Sequence, residues 1–436
     1  MGKVLTGLKG GLSRRAVLKA GTSAAVAAAA YAAFPGGAFA QAAGPETKKA
    51  ILGYIALMDS APLIIAKENG IFAKYGMPDV EVSKQASWGT VRDNLALGST
   101  GNGIDGSHIL SPMPYLMSAG KITQNNQPVP MYVLARLNLD AQAISVAEEY
   151  KSLKVTMDSS PLKAAFAAKK AKGEAVNIAV TFPGGTHDLW MRYWLAAGGI
   201  DPDKDVSVIV VPPPQMVANM KVGNTEAFCV GEPWNGQLVN QKIGYTALMT
   251  GELWKHHPEK AFTMRADWVD KNPRAAKAIT MAIQEAQMWA DKKENRDKVA
   301  EIMSRRQWLN VPVADIKDRN AGVIEYGDGR VVKDSTQYMK YWSENASYPF
   351  KSHDLWFLVE NMRWGTFDPS FDAKGLIDKV NREDIWREAA TTLNVAKSDI
   401  PTSTSRGKET WFDGKVFDPE NPMAYLKSLS IKKAAV

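Results

Sequence analysis

The sequence predicts an α/β protein built from two strand–helix–strand units that leave a cleft between them. Three observations carry this reading. Short apolar runs of strand length alternate with segments of helix length. Clusters of glycine and proline punctuate those runs. The chain has 436 residues, 45% of them hydrophobic, which is enough for two or three domains' worth of core.

The elements follow in order. Residues 50–55 (AILGYI) suit a buried strand. Asp59 or Ser60 can cap the next helix, and Pro62 is tolerated in its first turn. Gly70 and Gly76 break the chain before a second strand at 80–82, and 104–109 and 131–134 read as further sheet elements. Residues 176–182 form a strand closed by Pro183-Gly184-Gly185. A helix runs from 186 to about 196 and stops at Gly198-Gly199. A strand at 206–211 precedes three prolines, a helix begins over 216–220, and a strand at 227–230 ends in Gly231-Glu232-Pro233-Trp234. After about 255 the helices lengthen, with an apolar stripe over 273–289. Residues 340–436 carry no strong strand signal and read as a region that wraps and supports the core.

Charge and composition remove several functional classes. The chain carries 53 basic and 46 acidic residues, a net charge of +7. Residues 1–40 hold five of the basic residues and no acidic one, which leaves 48 basic against 46 acidic. That near-neutral body argues against the broad basic field of a nucleic-acid binder. The single cysteine, Cys229, cannot form an intramolecular disulfide, and its apolar strand suits inert burial. The five histidines include no HExxH pattern, and adjacent His256-His257 make a poor zinc site. No G-x-S-x-G elbow, P-loop or dinucleotide fingerprint is present, so the residues predict no enzyme and no cofactor or metal. Ser13-Arg14-Arg15, an apolar run from Ala20 to Phe34 and Ala38-Phe39-Ala40 read as a cleaved twin-arginine export signal over residues 1–40. The mature protein is therefore expected in the periplasm.

Ligands in such folds sit at loops following the strands, and four of these loops carry candidate groups. Trp88, in Ser87-Trp88-Gly89-Thr90, offers a flat pocket wall; the alternative is ordinary core. Thr90 can cap the helix that follows. His187, after Gly184-Gly185-Thr186, sits in a helix first turn where an imidazole can donate to an anion; the alternative is a satisfied structural histidine. Gly231 leaves its backbone N–H open to a small ligand, and Glu232 reads as a structural or interlobe carboxylate. Lys260 offers a counter-charge to an anion; the alternative is a solvated surface lysine. His108 either lines the cleft or orders its turn, and His353-Asp354 reads as packing.

These stretches resemble the periplasmic solute-binding proteins of nitrate ABC transporters and their bicarbonate-binding relatives. The resemblance is carried by residues 61–68 (APLIIAKE), 84–90 (KQASWGT), 181–188 (TFPGGTHD), 229–234 (CVGEPW) and 257–261 (HPEKA), and continues from 348–354 to 412–414. It implies a two-lobed, C-shaped binding protein with its ligand cleft between the lobes. The first lobe is expected over 50–140, the second over 141–254, and 255–436 returns to the first. It also implies a ligand set of Trp88, Gln142, His187, Gly231 and Lys260. Nitrate, or nitrite, is the expected ligand, and an ABC permease in the inner membrane the partner of a monomeric binding protein. The bicarbonate-binding relatives place an acidic residue at the lysine position and recruit calcium, so Lys260 favours nitrate. A bicarbonate-transport protein or an anion-sensing subunit is the alternative.

Overall fold

Among the described residues of the computed structural model, 44–436, ten strands build two five-stranded sheets. The expected export signal lies outside those residues. Residues 45–436 form one compact unit.

The first sheet has the order β2-β1-β3-β10-β4, from β1 (Lys49–Tyr54), β2 (Asp79–Lys84), β3 (Gly106–Leu110), β4 (Met131–Arg136) and β10 (Lys260–Arg265). The second has the order β7-β6-β8-β5-β9, from β5 (Gln142–Ala147), β6 (Asn177–Val180), β7 (Ser207–Val210), β8 (Ala227–Gly231) and β9 (Gly244–Met249). Each sheet has a parallel trio, β2-β1-β3 or β7-β6-β8. In each, an antiparallel strand comes fourth, β10 or β5. The two sheets thus repeat one plan, and each takes its antiparallel strand just after the chain crosses from the other.

The parallel strands follow the apolar runs in the sequence. The antiparallel β5 and β10, and β9 beside β5, were not anticipated. QAISVA and KAFTMR mix polar and apolar residues and lack the continuous apolar run of a buried strand. Polar side chains inside both strands are nonetheless buried with partners: Ser145 Oγ donates to Asn235 Oδ1 at 2.7 Å, and Thr263 Oγ1 donates to the Tyr132 carbonyl at 2.8 Å. Burial of such groups is tolerated because each is hydrogen-bonded.

Helices fill the faces. The first, α1 (Ala61–Glu68), carries Pro62 in its first turn, as expected. Ser60 does not cap it, because its hydroxyl donates to the Leu57 carbonyl at 2.7 Å. At α2 (Trp88–Leu97) the cap is Ser87 rather than Thr90: Ser87 Oγ accepts from the Thr90 N–H at 3.1 Å. Likewise α3 (Thr186–Ala197) starts after Gly185, and Thr186 does not cap it because its hydroxyl turns to Glu259. The long α4 (Pro273–Asp291) buries Ala275, Ala276, Ile279, Ala282, Ile283 and Ala286, the stripe of an amphipathic helix. The aromatic-rich C-terminal region packs onto α3 through α5 (Lys351–Arg363). Trp190 stacks on Trp356 at 5.1 Å, and Trp411 stacks on both Trp356 and Tyr193 at 4.5 Å.

The two crossings between the sheets lie side by side. Leu139 bridges Pro258, and the Asp140 N–H donates to the His257 carbonyl at 3.1 Å. Gln287 of α4 clasps the first crossing, its amide donating to the carbonyls of Arg136 and Leu137. Gln142 and Lys260, the first residues of β5 and β10, therefore emerge next to each other. No described helix is long and apolar enough to cross a membrane.

Candidate functional site

Seven segments converge where the two sheets meet. The turn after β1 supplies Asp59, the start of α2 supplies Trp88, and β3 supplies His108. β5 opens with Gln142, the first turn of α3 supplies His187, β8 closes with Gly231, and β10 opens with Lys260. The side chains of Asp59, Trp88, His108, Gln142, His187 and Lys260 are all buried. Lys260 is thus no solvated surface lysine.

Gln142 lies at the centre. Its Oε1 is 2.8 Å from His187 Nε2 and 3.4 Å from Lys260 Nζ, and its Nε2 donates to Asp59 Oδ2 at 3.3 Å. His187 Nδ1 is held by the Thr181 hydroxyl at 2.6 Å. With that hydroxyl donating, Nε2 carries the proton and points it at Gln142. Gly231 borders the same space: a Cβ there would stand 2.5 Å from Gln142 Oε1 and 3.0 Å from Asp59 Oδ2. The structure so brings together four of the five expected residues, Gln142, His187, Gly231 and Lys260. Trp88 reaches the group indirectly. Its ring lies 5.1 Å from that of His108, whose Nε2 is 2.6 Å from Asp59 Oδ1. The indole Nε1 of Trp88 is buried without a hydrogen-bond partner.

Lys260 is doubly paired, with Asp59 Oδ2 and Glu259 Oε1 each at 2.8 Å. Glu259 is fixed at Oε2 by Trp190 Nε1, which donates at 2.7 Å, and at Oε1 also by the Thr186 hydroxyl. Burial alone would push the lysine down and the carboxylates up. The mutual attraction outweighs it: the pKa of Lys260 is raised, and those of Asp59 and Glu259 are lowered. Burial, with Lys260 beside it, pushes His187 down to about 3, and burial holds His108 and His257 below the usual imidazole range. The cluster is thus one ammonium, two carboxylates and neutral imidazoles.

Asp59 and Glu259 were missed as site groups. Asp59 reads in sequence as a helix cap, and Glu259 lies in HPEKA with nothing local to show its partners. Glu232 proves structural, bound to Arg319 at 2.7 Å. Asp354, expected to pack, instead forms a buried ion pair with Arg136. The Cys229 thiol is buried and its pKa is pushed well up by that burial. No group of three or more His, Cys, Asp or Glu among the described residues could hold a metal ion.

What this arrangement offers is a convergence of donors. The His187 N–H and the Lys260 ammonium both aim at one oxygen, that of Gln142, in a dry setting where such bonds are strong.

A model of the NMT1-like family matches residues 43–304. The chain is 61% identical to the nitrate/nitrite binding protein NrtA of Synechocystis sp. over 89% of its own length and 86% of that protein. The crystal structure of the periplasmic nitrate-binding protein NrtA from Synechocystis PCC 6803 matches with a TM-score of 0.87, covering 89% of this chain and all of that one. The bicarbonate-binding protein CmpA of Synechococcus elongatus is 44% identical over 89% of this chain and 88% of its own. The nitrate import ATP-binding protein NrtC of Synechocystis is 31% identical over 91% of this chain but 58% of its own. The chain belongs to the NMT1-like family and to the nitrate/bicarbonate solute-binding family, with the two-lobed α/β fold of the periplasmic binding proteins.

Proposed function

We propose that this protein is a non-enzymatic solute-binding subunit of an ABC importer that captures nitrate, and admits nitrite, in the periplasm. The observation that carries the reading is Lys260 Nζ beside His187 Nε2 and Gln142, a set able to donate from several sides. Nitrate is a planar monoanion with no proton to give, so it calls for donors and a positive charge. In this reading nitrate takes the place now held by Gln142 Oε1, and the amide turns to donate through Nε2. His187, the Gly231 N–H and Lys260 complete the set, and Trp88 covers one side. Identity to NrtA well above that to CmpA supports nitrate over bicarbonate. The bicarbonate reading has one feature in its favour, two carboxylates that could accept an O–H. Both are already engaged: Asp59 by Lys260 and His108, Glu259 by Lys260, Trp190 and Thr186.

Residues 50–140 with the return after 255 form one lobe in this account, and residues 141–254 the other. Cleavage of a twin-arginine signal after residue 40 releases a monomer that docks on an inner-membrane permease. Titration calorimetry with nitrate, nitrite, and bicarbonate with and without calcium tests the ligand. Nitrate binding, stronger than bicarbonate under both conditions, is expected. Calcium-dependent bicarbonate binding without nitrate binding would overturn the reading.

Gly231 gives a second test. An added Cβ meets the tip of the Gln142 side chain, which can yield, and presses on Asp59 Oδ2 at 3.0 Å, so Gly231→Ala should fold with a modest loss of stability. The displaced amide no longer meets the ligand, and nitrate affinity is expected to fall by about tenfold or more, the loss of one good hydrogen bond to a charged group. An unchanged affinity would place Gly231 outside the ligand contacts.

A further inference from the structure

Asp59 puts a full negative charge at the heart of a site read as an anion site. Its Oδ2 is 2.8 Å from Lys260 Nζ and 3.3 Å from Gln142 Nε2, and it would be 3.0 Å from a Cβ on Gly231. It therefore borders the same space as the proposed ligand donors. Glu259 balances Lys260 from the other side but is tied back by Trp190 and Thr186. With both carboxylates buried against one ammonium, the cluster carries a formal charge of −1 before any ligand enters. His108, at 2.6 Å from Asp59 Oδ1, and His187 add no charge while neutral.

We propose that Asp59 is a specificity-determining residue that limits this site to singly charged oxyanions and rejects dianions such as sulfate. The inference rests on the anion-binding reading above and assigns it a further residue. The physics is that of selection by repulsion. A monoanion near Lys260 gains attraction and meets one like charge at Asp59. A dianion in the same dry position doubles both the attraction to Lys260 and the repulsion from the carboxylates, and because Asp59 makes the net charge of the cluster −1 the sum is a repulsion that grows with the ligand's charge where water cannot screen it. Discrimination built this way disfavours the wrong ligand instead of tightening the right one.

The test compares wild type with Asp59→Asn and Asp59→Ser in titrations with nitrate, perchlorate and sulfate at fixed ionic strength. Perchlorate and sulfate share a tetrahedral shape and differ in charge. Wild type should bind perchlorate more tightly than sulfate. Asp59→Asn keeps an oxygen for His108, and the preference for nitrate and perchlorate over sulfate should shrink by more than about tenfold. Asp59→Ser, smaller and also neutral, should shift the same ratio and serves if the asparagine variant fails to fold. Folded variants with an unaltered ratio, or equal losses for all three ions, would make Asp59 a scaffold residue and overturn the inference. Sulfate binding as tight as perchlorate in wild type would do the same. A wild type that binds perchlorate but not nitrate would end the nitrate reading alone, leaving the perchlorate-to-sulfate ratio to judge Asp59. A wild type that binds none of the three would remove both.

Discussion

Lys260→Glu should abolish nitrate binding and also destabilise the fold. Lys260 Nζ is the shared partner of Asp59 and Glu259, both at 2.8 Å and all three buried. A glutamate there sets three carboxylates against one another with no cation among them. Breaking a buried ion pair by removing one partner costs about 3–5 kcal/mol, and the added like charge deepens the loss until the carboxylates take up protons. Lys260→Ala should bind nitrate weakly, at least tenfold below wild type, because it removes a charged donor worth about 1.5–3 kcal/mol. It should harm binding less than the glutamate variant, since it adds no repulsion. The loss of folding stability follows from the double pairing, which a lysine facing an open cleft would not have. Thermal melting beside calorimetry separates the two effects. Equal nitrate affinities across wild type, Lys260→Ala and Lys260→Glu would place Lys260 outside the site and take away the main physical support for nitrate over bicarbonate.

Arg136→Ala should be the most damaging change outside the site. Arg136 ends β4, just before the first crossing, and is buried against Asp354 and the Ser111 hydroxyl, the latter at 2.7 Å. Alanine leaves the Asp354 carboxylate buried with Asn381 Nδ2, at 2.8 Å, as its remaining side-chain partner. A loss of about 3–5 kcal/mol is expected, read as a lowered urea midpoint. The paired change Arg136→Met with Asp354→Leu should recover more than half of it, because an apolar pair of similar volume can replace a buried ion pair at little cost. If the paired change were no better than Arg136→Ala, the loss would come from packing of the arginine and not from the stranded carboxylate.

The parts of the fold that could be read in sequence are those set by local pattern. AILGYI at 50–55 and VNIAVTF at 176–182 announce central strands because both faces are covered by apolar contacts. Pro183-Gly184-Gly185 announces the turn that delivers His187. The strands that were missed, QAISVA and KAFTMR, hide their polar groups by hydrogen bonds to other strands and helices, which no local pattern reveals. The site divides in the same way. His187 follows one recognisable strand-to-helix turn and Gly231 leads into another. Gln142 could be named only through the family resemblance, since AQA in a mixed stretch carries no signal of its own. Lys260 was identified as a charge, but its embrace by Asp59 and Glu259 depends on the turn after β1 meeting the start of β10 in space. Asp59 looked like a helix cap because aspartate before an apolar helix usually is one. Here its carboxylate turns instead to Lys260 and His108.

The most direct measurement is a crystal structure of the protein grown with nitrate. Planar density is expected for one nitrate bounded by Gln142, His187, the Gly231 N–H and Lys260, with Trp88 over one side and the Gln142 amide turned to donate. Nitrate bound elsewhere, or Gln142 Oε1 still bonded to His187 and Lys260 in crystals of protein shown to bind nitrate, would contradict it.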